Sequence, residues 1–127
     1  MLAEGRTRVQ YQSDYVLRII EQMGVALRRA FERYRDGGSS DEPLELTQEA
    51  IGLVVDMDPG LFLRLSPPSM VSFIEISGFD DRLVAKLVEA LHLEADILES
   101  EGSLVEAGVR REQACALTDA IDPAHAN

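Results

Sequence analysis

The chain has 127 residues, 46% of them apolar and 28% charged, with a formal net charge of −11 at pH 7. This length accommodates one domain with a sizeable core, and so acidic a surface repels phosphate backbones, which argues against nucleic-acid binding. The single cysteine, Cys115, excludes an internal disulfide and a cysteine-based zinc site.

The charge is uneven. Residues 1–35 carry seven arginines and four acidic residues, whereas residues 36–127 carry five basic and nineteen acidic ones. The N-terminal segment lacks the apolar run of a signal peptide, and no stretch approaches the roughly 20 apolar residues of a membrane span. The expectation is a cytoplasmic chain without a membrane partner.

Residues 1–12 are polar and aperiodic and read as a flexible tail. Ser13 is placed to cap a first helix running to about Arg35. Val16, Ile20, Met23, Leu27, Ala30, Phe31 and Tyr34 form its apolar stripe at spacings of three and four. Arg28 and Glu32 make an i,i+4 pair, and Ile19 and Val25 fall off the stripe. Gly37-Gly38-Ser39-Ser40 ends the helix. A second helix spans about Glu42 to Met57, with Pro43 in its first turn and Leu46, Ala50, Leu53, Val54 and Met57 on its buried face.

Asp58-Pro59 then opens a short helical turn containing Leu61, Phe62, Leu63 and Leu65. Ser66 and Pro67 start a third helix carrying Met70, Val71, Phe73, Ile74 and Ile76, and Gly78 stops it. This spacer, 58–79, is the most apolar part of the chain and reads as a wedge. Asp80 caps a fourth helix with Leu83, Leu87, Ala90, Leu91, Glu94, Ala95 and Leu98 on its inner side, ended by Gly102. A fifth helix runs from about Leu104 to Ile121, inner face Ala107, Ala114, Leu117 and Ile121, and Pro123 stops it before a tail over 123–127. No segment alternates with period two long enough to suggest a strand.

Laying residues 24–63 over 88–127 without gaps gives nine identities in forty positions: Ala26/Ala90, Leu27/Leu91, Gly38/Gly102, Ser39/Ser103, Glu42/Glu106, Ala50/Ala114, Leu53/Leu117, Asp58/Asp122 and Pro59/Pro123. These are turn, crossing and stop positions of a helical hairpin. The expected fold is therefore all-α: five helices in two related hairpins, 13–57 and 80–121, joined by the spacer in one helical domain over 13–122.

The last hairpin resembles a tetratricopeptide repeat. Leu91, Ala95 and Leu98 match the large-small-large pattern of that family's first helix, Gly102 its turn, and Ala107 and Ala114 the small residues of its second helix. The pattern has a physical basis, since small side chains let crossing helices approach closely. Arg111 stands where the family has a large aromatic, Pro123 comes about one turn late, and in the first hairpin Phe31 replaces the small residue. Over about 13–121 the chain also resembles an uncharacterised all-helical bacterial family. The match is carried by Asp14-Tyr15-Val16-Leu17-Arg18-Ile19-Ile20-Glu21-Gln22, by Leu65-Ser66 and by the closing Glu-Ala…Gly…Glu hairpin. The resemblances imply right-handed helical hairpins and no particular reaction.

Glu89-x-x-His92 has metal-ligand spacing on one helix, but a di-metal bundle needs the motif twice with two further carboxylates. The other histidine, His125, lies in the tail. The simpler reading pairs an exposed His92 with Asp96. Cys115 lacks a neighbouring base and reads as a small packed side chain. Gly37-Gly38 has neither the lysine nor the glycine spacing of a phosphate loop. Arg28, Arg29, Arg33 and Arg35 offset the helix macrodipole or meet an acidic partner.

No catalytic residue, metal site or cofactor is expected. The leading reading is a non-catalytic protein–protein interaction or scaffold module whose partner is another protein or a second copy forming a homodimer. The alternative is a small-ligand or peptide sensor with a pocket between the hairpins. Tyr15, Arg18, Arg28, Arg29 and Tyr34 are the candidate partner or ligand surface. Gly38, Ala95, Gly102 and Ala107 are the structural turn and crossing positions.

Overall fold

The computed structural model describes the backbone of residues 2–121 and the side chains of residues 13–121. Six helices make up the described chain, α1 Leu2–Asp36, α2 Asp41–Val55, α3 Pro59–Leu63, α4 Pro67–Ser77, α5 Asp81–Ser100 and α6 Leu104–Ile121, with no strand among the described residues. The sixth is Pro59–Leu63, expected only as a turn. Pro123, His125 and the rest of the expected C-terminal tail lie outside the described residues.

The helix boundaries follow local chemistry. Asp58, Ser66 and Asp80 cap α3, α4 and α5, accepting hydrogen bonds from the N–H groups of Leu61 (3.2 Å), Ser69 (3.2 Å) and Arg82 (2.8 Å). Pro59 and Pro67 follow their caps directly, where a missing N–H costs nothing. Gly78 and Gly102 have φ of +67° and +93°. Each is followed by an N–H that reaches back five residues, Phe79 to Ile74 O and Ser103 to Leu98 O, which satisfies a carbonyl the helix end leaves free. Gly38, 64 positions before Gly102, has a closely similar φ of +91°.

Two boundaries differ from expectation. The first helix begins at Leu2, so Ser13 lies inside it and does not cap it. Residues 2–12 include Leu, Ala, Glu, Arg and Gln and no proline, and extending an existing helix is far cheaper than nucleating one. At its other end α2 stops at Val55, not Met57, because Asp56 turns into the left-handed region at φ +52°. Aspartate is among the few residues that tolerate this conformation.

Along the chain α1 packs on α2, α2 on α5 and α5 on α6, and α1 also packs on α5. The spacer bridges the two hairpins: α3 rests on α2, and α4 rests on α6. Phe62 is fully buried there, and Phe73 stacks edge-on against both Phe62 (5.7 Å) and Phe79 (6.0 Å). One main core joins Met23, Ile51, Phe62, Met70, Leu87, Leu91 and Leu117 across all six helices. Each such side chain contributes about 1.5–3 kcal/mol by leaving water. A second, smaller cluster joins Ala95, Leu98 and Ala107. The crossing of α5 and α6 thus falls on the two alanines the spacing named. The matched positions Ala26/Ala90, Leu27/Leu91 and Ala50/Ala114 are buried in both hairpins.

The stripe on α1 is rotated relative to its sequence reading. Ile19, Met23, Ala26, Leu27 and Ala30 face the core, whereas Phe31 is 43% exposed. With two neighbours, α2 and α5, the helix buries an arc rotated from the three-four stripe and centred nearer Ile19. Cys115 is exposed, not packed. It follows Ala114 by one residue, a 100° step that carries it off the buried face of α6.

Candidate interaction surface

The interior holds one charged side chain on an apolar stripe, and its surroundings show how the fold compensates it. Glu94, 1% exposed, projects from α5. Its Oε2 accepts from Arg110 Nε at 2.7 Å and its Oε1 from Thr47 Oγ1 at 2.7 Å. Thr47 has a single hydroxyl hydrogen, which it shares between Glu94 and Leu44 O (2.8 Å). Arg110 Nη1 donates to Leu63 O (3.1 Å) and Gln113 Oε1 (3.2 Å), and Gln113 Nε2 donates to Leu63 O and Leu65 O, both at 2.9 Å.

Four segments meet in this tie: α2, the end of α3 with the linker after it, α5 and α6. No buried side-chain nitrogen or oxygen lacks a partner among the described residues. The buried polar atoms of the cluster are all engaged with protein, so it fastens helices together. Thr47, Arg110 and Gln113 were not singled out from sequence, although a signal existed. Glu94 lies on the inner stripe of its helix, and a buried carboxylate requires a cation and donors. Arg110 follows the buried Ala107 by three residues, on the same face.

The two hairpin turns touch. Ser40 Oγ donates to Glu101, whose other oxygen accepts from Ser103 Oγ at 2.8 Å. These hydrogen bonds, that from Ser40 first, hold the Glu101 carboxyl below the usual glutamate range. Asp80 is likewise held below the usual aspartate range. The hydrogen bonds from the Arg82 side chain, at 3.0 Å to each oxygen, are the largest cause, followed by that from the Arg82 N–H.

All five candidate surface residues lie on α1, but they do not converge. Tyr15 borders an open cleft of about 490 Å³ with Val16, Phe79, Asp80 and Arg82. Tyr34 borders a separate one of about 190 Å³ with Gly38, Pro43 and Ile97. Nineteen residues separate the tyrosines, about 28 Å along the helix, so they do not line one pocket between the hairpins. Arg18, Arg28 and Arg29 are exposed. Arg29 flanks a shallow charged depression with Glu32, Arg33, Arg35 and Asp36. Arg33 pairs with Glu42 of α2 at 2.7 Å; among the described residues Arg28 and Glu32 form no ion pair.

His92 is exposed, as expected, but Asp96 pairs with Arg111 (3.0 Å) and Glu89 with Lys86 (3.0 Å), not with the histidine. Arg111 thus ties α6 to α5 through Asp96 and Glu99 (3.4 Å) at the surface.

Between the arginines α1 shows exposed apolar side chains: Phe31, expected on the buried stripe, Val25, which lies off it, and Leu17. Leu17 is 47% exposed and Val25 is also exposed. Phe31 contacts Tyr34 (centroids 6.5 Å apart), and the Arg35 guanidinium lies 6.0 Å from the Phe31 ring. Leu104, Val105 and Val109 are exposed on the first half of α6, and Ile76 on α4. Among the described residues no helix is long and apolar enough to cross a membrane. Comparison of the chain with protein-family models, with curated proteins and with solved structures finds no match.

Proposed function

We propose that this chain is a non-catalytic interaction module built from two tetratricopeptide-like hairpins and presenting the outer face of α1 to a protein partner. Support for the hairpin reading comes from the order of packing: α1 on α2, α2 on α5, α5 on α6, with the two leading helices also in contact. Ala26/Ala90, Leu27/Leu91 and Ala50/Ala114, each 64 residues apart, share burial, and Gly38 and Gly102 share backbone conformation. The observation that carries the functional reading is the contrast between interior and surface. Among the described residues the buried polar groups are all engaged, while Leu17, Val25 and Phe31 stand exposed on one helix with Arg18, Arg28, Arg29 and Arg35, which form no ion pair there. Arginine and aromatic side chains together are what interface centres favour.

The test is capture from native lysate with mass spectrometry, using the unaltered chain and a Leu17→Glu/Phe31→Glu variant of equal thermal stability. Partners retained by the first and lost by the second are expected. Identical captured sets would overturn the assignment of this face.

A further inference from the structure

The exposed face of α1 carries a two-fold charge pattern. Leu17, Ile20, Gly24, Leu27, Phe31 and Tyr34 recur at alternating spacings of three and four, the seam of a three-heptad coiled coil. This seam runs along the edge of the core-facing arc. Leu17 and Phe31 are exposed, Ile20, Gly24 and Tyr34 half-buried, and Leu27 closes the inner side. A Cβ placed on Gly24 would meet nothing within 4 Å, so another helix can approach closely there.

Beside the seam, on the side away from the core, Asp14, Glu21, Arg28 and Arg35 recur every seven residues, and all four are exposed. None of them forms an ion pair among the described residues. The first two are acidic and the last two basic. When two copies of a helix run antiparallel, such flanking positions face their own kind across the seam. Asp14 then meets Arg35 of the other copy, Glu21 meets Arg28, and both pairs occur twice. The same alignment sets Leu17 against Tyr34, Ile20 against Phe31 and the small Gly24 against the larger Leu27. A parallel pairing would turn these flanking charges to the core-facing side of the partner seam, around Met23 and Ala30, which α2 and α5 already cover.

We infer that the partner of this face is a second copy of the chain, joined through an antiparallel α1–α1 pair about a two-fold axis near residues 25 and 26. This deepens the interaction-module reading and rests on it. A two-fold contact closes on itself, and the four reciprocal ion pairs offset the repulsion between two acidic subunits.

The test uses the full chain and exposed positions only. Sedimentation of the unaltered protein is expected to show a concentration-dependent monomer–dimer equilibrium that weakens as salt rises. Arg28→Glu/Arg35→Glu makes the flank wholly acidic, and Asp14→Arg/Glu21→Arg makes it wholly basic. Each variant alone should dimerise at least about tenfold more weakly, and a one-to-one mixture should recover the dimer as a heterodimer. Three results would each overturn the proposal: a protein monomeric at high micromolar concentration, variants that associate like the unaltered chain, or a mixture that fails to recover. A monomer that still loses lysate partners on Leu17→Glu/Phe31→Glu would overturn self-association and leave the interaction-module reading standing.

Discussion

Replacing Arg110 by Met should cost more stability than removing any other single surface-reaching charge in the chain. Glu94 is 1% exposed and takes its only cationic hydrogen bond from Arg110 at 2.7 Å. Methionine retains the packing of the arginine stem but strands a buried carboxylate with Thr47 as its sole donor, and it removes one of two side-chain donors to Leu63 O. Breaking a buried pair from one side costs about 3–5 kcal/mol. The Arg110 side chain is 14% exposed, so water reaches this end of the pair and the lower figure applies, about 3 kcal/mol. For a domain of this size that lowers the melting temperature by about 10 °C.

Adding Glu94→Leu to the same variant should return most of the loss, because the charge without a partner is then gone. Thermal and urea unfolding followed by far-UV circular dichroism measure both steps, and the four-protein cycle isolates the coupling. A single-variant cost under about 1 kcal/mol, or a double variant no more stable than Arg110→Met, would show that the carboxylate is not effectively desolvated.

Ala95→Leu, placing three extra carbons at the closed α5–α6 crossing where Ala95 has no exposure, should cost about 1–3 kcal/mol in urea melts. Gly102→Val should cost about 1 kcal/mol or more, since a β-branched residue is strained at φ +93°. Asp56→Gly, at φ +52°, should instead gain about 0.5–1 kcal/mol, the relief of left-handed strain less the added chain entropy; paired thermal melts check both signs. Asp80 titrates below the usual aspartate range in the folded protein. Its charge therefore stabilises fully above about pH 4, the unfolded value, and the contribution fades as pH falls through the lower folded one. The stability gap between the unaltered chain and Asp80→Asn, which still caps, should accordingly narrow between pH 5 and 2 in acid titration by circular dichroism.

Much of the fold was legible because it is decided within a few residues. Asp58, Ser66 and Asp80 followed by helix formers, and Gly78 and Gly102 after apolar runs, specify ends through bonds reaching two to five positions along the chain. A cap does not depend on what packs above it. The 64-residue offset was legible for a related reason: Ala26/Ala90 and Ala50/Ala114 are small and buried in both hairpins, and close packing of helices leaves its mark in residue size.

What depends on neighbours was not legible. Phe31 sits at stripe spacing yet stands at the edge, because α2 and α5 together set which arc of α1 is covered, and a period cannot say how many helices will cover it. Asp96 found Arg111 across the hairpin, not the histidine four residues before it, since a longer side chain reached it from the facing helix. Tyr15 and Tyr34 do not wall one pocket, because the length of α1 between them sets them in separate clefts. The buried tie of Thr47, Glu94, Arg110 and Gln113 draws on residues up to 66 positions apart. The sequence places Glu94 on the inner stripe of its helix; only the tertiary structure decides what meets it there, because desolvation demands a partner and the meeting of distant helices supplies one.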